Sequence, residues 1–250
     1  SYYFSLDKST SKRLKEICAK GGISLFVILL GVFKVLLSKY SNQNDVVVGT
    51  LIANRHYREL EGLMGFFINT LAIRSNVNNK EKFCEFLEQI KKVTLESYDH
   101  QDIPFEQLVD YLKVERKLNR HPIVQTLFVL QNLANEALNL YNMEVSDIDL
   151  RTFRNLFEFD LLLEAFESRD EIRFRIEYSK DLYNEQTVIR MSEHYRNIVS
   201  AIVNNLHVEI EKIDILTKEE KSQILEGWNE TAREYERGKG IHELFEEQAN

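Results

Sequence analysis

The segment His100-Gln101-Asp102-Ile103-Pro104-Phe105-Glu106 is the densest run of potentially reactive side chains in the sequence. An imidazole and two carboxylates at such spacing offer general acid–base chemistry. The same residues also read as a helix start. Asp102 accepts free N–H groups, Pro104 occupies the first turn where its missing N–H costs nothing, and Glu106 lies near the positive end of the helix dipole. Capping accounts for every polar residue there except His100 and Gln101, so the helix-start reading is favoured. Asn69, in FFINTL, is a second oddity, because a carboxamide within an apolar strand must find partners or face a cavity. It either satisfies a neighbouring loop backbone or lines a substrate channel, and the residues leave both open. Arg55, Arg58 and Glu59 read as a solvated loop with local ion pairs. Gln131 and Asn132 end a strand, and Asp160 interrupts LFEFDLLLEAF on a face that alternation makes half-exposed.

Other chemistries lack their anchors. No two of the six histidines stand three or four residues apart, so no helix face carries a metal pair, and His194 and His207 read as surface or capping groups. Cys18 and Cys84 have no CxxC partners, which speaks against a disulfide framework or a zinc site and suggests a reducing, cytoplasmic setting. GxSxG, GxGxxG and GxxxxGK[ST] are absent, removing the hydrolase, dinucleotide and phosphate-loop signatures. With 32 basic against 40 acidic residues and a net charge of -8, neither nucleic acid nor an anionic membrane is an expected partner.

The elements that must position these residues follow from periodicity. Residues 10–20 carry Leu14, Ile17 and Cys18 at helical spacing and end at Gly21-Gly22. Ser24 caps a helix to about Tyr40 that is apolar on nearly every face, which places it at the centre of the fold. Its apolar run, Leu25 to Leu37, contains Lys34 and falls short of the roughly 20 residues that span a bilayer. DVVVGTLIA reads as a strand buried on both sides, and FFINTLAIR as another. Helices are expected over about 80–98 and, with Phe105, Leu108, Val109 and Leu112 on one face, after Pro104. Strand patterns recur in IVQTLFVLQN, MEVSDIDLRTF, LFEFDLLLEAF and EIRFRIEYSK. A long helix from about Asn184 to Asn205 follows, and Thr217 with Glu220 forms a capping box for a short one. The fold class is α/β (α+β), with a mixed sheet covered by helices. The start at Ser1 lacks a signal-peptide pattern, and YYFSL reads as a strand already in progress, as in an excised piece.

Several motifs in order resemble the C-terminal lobe of a nonribosomal peptide synthetase condensation domain. ELEGLMGFFINTLAIR resembles the family's G-x-F-V-N-T-L pattern, with Asn69 and Thr70 in place. HQDIPFEQLV matches H-Q-D-x-P-F-E at every specified position. RKLNRHPIVQTLFVLQN resembles R-x-x-x-x-N-P-L-F-x-x-x-F-x-x-Q-N, FEFDLLLEAF resembles a later F-D-L strand, and EYSKDLYNEQTVIRMSEHYRNIV the Y-x-x-D-L-F helix entry. The tail from Ile224 resembles the linker into an adenylation domain, giving a lobe over 1–228 and a linker over 229–250. The family's H-H-x-x-x-D-G motif belongs to the N-terminal lobe and has no counterpart here; Asn54 stands where the family often has Gly, and His121 replaces an Asn.

The resemblance implies a chloramphenicol-acetyltransferase-like lobe that packs on an N-terminal lobe, with a tunnel between them. Two thioesters on phosphopantetheine arms of donor and acceptor carrier proteins would meet there, no cofactor being bound by the chain itself. Asn54, Arg55 and Asn69 are then tunnel or substrate-facing candidates. His100, Gln101, Asp102, Pro104, Glu106, Gln131, Asn132 and Asp160 organise the lobe interface or hold motifs in place. No metal is implied, the isolated lobe is expected to self-associate, and amide formation is expected of the whole domain and not of this piece alone. Epimerisation and heterocyclisation variants share the architecture, and a non-catalytic carrier-binding lobe is the alternative of another class.

Overall fold

The computed structural model describes residues 1–55, 58–60, 62–115, 120–131, 159–168, 171–232 and 239–249. They form two compact units, Ser1–Ile215 and Leu216–Asn250. The first holds strands β1 (Tyr2–Ser5), β2 (Asp45–Ile52), β3 (Asn69–Asn76), β4 (Thr126–Gln131), β5 (Leu161–Glu167) and β6 (Ile172–Tyr178), with helices α1 (Lys8–Gly21), α2 (Leu25–Ser41), α3 (Phe83–Asp99), α4 (Phe105–Tyr111) and α5 (Glu185–Asn204). The second holds α6 (Lys218–Leu225), begun by the Thr217–Glu220 capping box, and α7 (Ile241–Ala249).

The strands make one mixed sheet in the order β1-β6-β5-β4-β2-β3. β5 lies parallel to β4 and β4 parallel to β2, while the β1/β6, β5/β6 and β2/β3 pairs are antiparallel. One face of the sheet carries the main core. Phe4, Val46, Val48, Ile73, Phe128, Leu163 and Phe174 meet apolar residues of α1, α2, α3 and α5 there. As its all-round apolar sequence requires, α2 is buried from Leu25 to Leu36 on nearly every turn. Its ends follow local chemistry: Ser24 Oγ accepts the Val27 N–H, and α1 before it stops at Gly22, whose φ of 58° suits a residue without Cβ. Tyr195 of α5 donates its hydroxyl to Leu29 O and meets the rings of Phe4 and Phe174 edge-on, joining α5, α2 and the sheet.

The other face carries a smaller cluster of Phe105, Val109, Val124 and Leu127, packed by Val47, Ala72, His121, Phe159 and Leu162. Gly49 of β2 is central to it. A Cβ at that position would lie 2.5 Å from Val124 Cγ1 and 2.6 Å from Leu127 Cδ2, so only glycine lets β4 and its entry segment approach so closely. The middle of β2 is therefore covered on both faces, as its β-branched run predicts. The strand read in MEVSDIDLRTF lies outside the described residues, as do Asn132 and Glu158. α4 departs from expectation in one respect: Phe105 and Val109 are buried, but Leu112 is exposed, because the helix ends at Tyr111.

Candidate functional site

Asn69, the first residue of β3, is the junction of the site. Its Nδ2 donates to Gln101 O and Ile103 O, both at 2.8 Å, and its Oδ1 accepts from Phe105 N at 3.1 Å and Thr70 N at 2.9 Å. One carboxamide thus ties the HQDIPFE loop to the sheet and satisfies the first N–H of α4. That corrects the helix-start reading in one detail. The cap position of α4 is Pro104, which has no capping side chain, so the role assigned to Asp102 belongs to Asn69, a residue distant in sequence but adjacent in space. His100 closes α3, its N–H bonded to Ser97 O, and its carbonyl accepts from Ile103 N at 3.2 Å. His100, Asp102, Pro104 and Glu106 all lie at the surface, with Gln101 half-buried. Together these contacts place Phe105 and Val109 on the second face of the sheet.

The loop after β2 supplies the neighbouring wall. Asn54 has a φ of 49°, in the left-handed region, where Asn is tolerated better than other side chains. Arg55 is not a solvated loop residue. Its guanidinium bonds to Leu60 O, beside the 3-10 turn at Arg58–Leu60, and lies 4.2 Å from the centre of the Phe67 ring. It pins a loop that presents Leu63, Met64, Phe66 and Ile68 to solvent, Met64 being 99% and Phe66 91% exposed.

On the same sheet face as Leu127 and Leu162, β5 and β6 bury an ion network. Arg175, 2% exposed, donates from Nε to Glu164 Oε2 at 2.6 Å and from Nη2 to the same oxygen, and Glu177 Oε1 lies 3.1 Å away. Gln131 reaches Glu164 Oε1 at 3.5 Å across the β4–β5 pair. Asp160 is half-buried at the entry to β5, its N–H bonded to Gln125 O and its carbonyl accepting Ser179 N–H. These groups brace strands. Asn132, the other strand-end residue singled out in the sequence, lies outside the described residues.

Two features escaped the sequence reading. Lys34, wholly buried in α2, donates to Val46 O at 3.0 Å and Ile73 O at 2.7 Å, and burial pushes its ammonium down to about 7 against a weaker pull from Asp45. A single charge inside an apolar helix was the visible signal. His194, expected at the surface, is buried with Nδ1 2.8 Å from the Tyr40 hydroxyl, because its face of α5 turns toward α2. Among the described residues no three His, Cys, Asp or Glu side chains converge as a metal site would require, and no single helix is long and apolar enough to cross a membrane.

Comparison with known proteins decides the family. The model of the Condensation domain family matches residues 1–225. The chain belongs to the condensation-domain family. It is 39% identical to tyrocidine synthase 3 of Brevibacillus parabrevis over 97% of its length, and 40% identical to gramicidin S synthase 2 of Brevibacillus brevis over 98%. It spans only 4% and 6% of those two proteins. Among solved structures, a four-domain nonribosomal peptide synthetase bound to AMP and glycine matches 88% of this chain with a TM-score of 0.80 at 24% identity, over 18% of its own chain. The X-domain from teicoplanin biosynthesis matches 86% with a TM-score of 0.75 at 21% identity, and this chain covers 50% of it. The described sheet and helices are thus a condensation-domain fold of the chloramphenicol-acetyltransferase type, and amide-bond formation is the chemistry of the family. Within that fold, Asn54 adopts the left-handed conformation, and the His121 ring contacts those of Phe105 and Phe159, with centroids 5.1 and 4.4 Å away.

Proposed function

We propose that this chain is the C-terminal lobe of a domain that joins two carrier-bound thioesters by an amide bond. The observation that carries the reading is the family match over residues 1–225, together with the motif order in the sequence. In this reaction the acceptor amine attacks the donor thioester carbonyl, the carbonyl oxygen carries the developing charge, one amine proton is lost, and the donor thiol leaves. An upstream lobe would supply the HHxxxDG histidine, which takes or positions that proton. This lobe supplies tunnel wall. Asn54 and Arg55 set one loop and Asn69 sets the other, so their contribution is to hold the two pantetheine arms and the reacting atoms in register. His100 to Glu106, Gln131 and Asp160 keep the wall and lobe interface in shape.

The partners proposed are the N-terminal lobe, the donor and acceptor carrier proteins with their phosphopantetheine arms, and an adenylation domain beyond a linker over 229–250. The exposed Leu63, Met64, Phe66 and Ile68 support the first of these, since contiguous apolar surface of this kind marks an interaction site. Without that partner the lobe would pair with a second copy of itself through the same residues. The test uses the complete domain with both carriers loaded, followed by mass spectrometry of the carrier-bound product. Dipeptidyl thioester should form in one turnover, and Arg55→Ala should slow it by roughly 10-fold or more through lost positioning. A complete domain that racemises the donor or cyclises the acceptor, without making the amide, would overturn the reading.

A further inference from the structure

We infer that Cys84 and His207 form a modifiable thiol site that takes up low-molecular-weight disulfides by thiol–disulfide exchange. The two side chains come from segments 123 residues apart, and Cys84 Sγ lies 3.2 Å from His207 Nδ1. A nucleophile and a base within hydrogen-bond reach are the arrangement that activates a thiol. The pairing is built into the backbone. Phe83 N donates to Val208 O at 2.9 Å and Cys84 N to Leu206 O at 3.0 Å, and Lys82 and Glu209 form a β-bridge beside them. His207 N donates in turn to Asn205 Oδ1 at 3.0 Å, fixing the turn that presents the imidazole. Cys84 is half-buried and His207 exposed, so a small disulfide can reach the sulfur. The site stands at the start of α3, whereas the HQDIPFE loop follows its end, roughly 20 Å away at the helical rise per residue.

Cys18 is the internal contrast. Among the described residues it has no histidine partner, and burial pushes its thiol up to about 11. At Cys84 the thiol proton passes to His207 Nδ1 and the thiolate attacks one sulfur of the disulfide. The S–S bond breaks, a mixed disulfide forms on Cys84, and the expelled thiolate takes the proton from the imidazolium and leaves as a thiol. The incoming disulfide is the only oxidant required.

The experiment treats the chain at pH 7 with oxidised glutathione and follows the adducts by peptide mass spectrometry, with thermal melting to confirm the fold of each variant. Cys84 should be modified at least about tenfold faster than Cys18, and His207→Ala should slow it by about tenfold. Removing the imidazole also uncovers the sulfur. A merely structural or shielding histidine therefore predicts an unchanged or faster reaction in His207→Ala, and that result overturns the proposal. So does modification of Cys84 no faster than Cys18.

Discussion

Replacing Asn69 by Ala removes three bonds that span 32 to 36 residues: two donated to Gln101 O and Ile103 O, and one accepted from Phe105 N. A neutral hydrogen bond of this kind contributes about 0.5–1.5 kcal/mol net. Gln101 and Ile103 lie near the surface, where water can replace the lost donor, so the low end applies to those two. The Phe105 N–H adds the loss of a helix cap, about 1 kcal/mol. The sum is about 2 kcal/mol, or about 4–8 °C in melting temperature for a chain of this size. Asn69→Asp separates the two functions of the side chain. It keeps an acceptor for Phe105 N but replaces the Nδ2 that makes both donations by an oxygen facing two carbonyls, so it should destabilise at least as much. Urea unfolding gives the totals, and hydrogen exchange should place the lost protection at residues 100–109. By contrast, Asp102→Ala, outside the cap position, should cost less than Asn69→Ala. If Asn69→Ala keeps full stability and the Phe105 amide stays protected, Asn69 does not hold the 100–106 loop to the sheet.

The pH dependence of stability isolates Lys34. Its folded pKa of about 7 lies below that of an unfolded lysine, so between the two the unfolded chain binds more protons and stability rises with pH; below about 7 the full cost of the buried charge is present. Relative to Lys34→Met, the native chain should gain about 3 kcal/mol in urea-unfolding free energy from pH 6 to pH 9; equal slopes for the two proteins would contradict this. Arg175→Met leaves Glu164 charged and buried and should cost about 3–5 kcal/mol, while adding Glu164→Leu should recover most of it. If the double variant is no better than the single, the network does not act as a unit. Phe66→Asp, at a 91% exposed position, should leave the melting temperature unchanged yet abolish self-association in sedimentation. Undiminished association would move the sticky surface elsewhere.

Elements whose ends are set by their own neighbours were legible in the sequence. Ser24, Asn184 and the Thr217–Glu220 pair each cap the helix that follows them, and the all-apolar run of α2 required the central position it occupies. The β-branched run of β2 likewise announced a strand covered on both sides. What remained hidden depends on contacts between distant segments. Local capping rules pointed to Asp102, yet the acceptor for α4's first N–H is Asn69 of β3, which no spacing within HQDIPFE encodes. Arg55 read as solvated because Leu60 O and the Phe67 ring fold back on it only in three dimensions. His194 lies on a helix whose apolar face is broad enough to bury it against Tyr40. EIRFRIEYSK and LFEFDLLLEAF read as strands, but the Glu164–Arg175 pair depends on the β5–β6 register that sets the two opposite each other.

Under the proposed function, this lobe forms amides only when joined to a half that carries the HHxxxDG histidine. The most direct measurement mixes this chain with a separately produced N-terminal half, adds donor- and acceptor-loaded carrier proteins, and follows dipeptidyl thioester by mass spectrometry against each half alone. Product should appear with the mixture and stay at the uncatalysed background with this chain by itself. Turnover by this chain alone would show that the lobe needs no second half for catalysis.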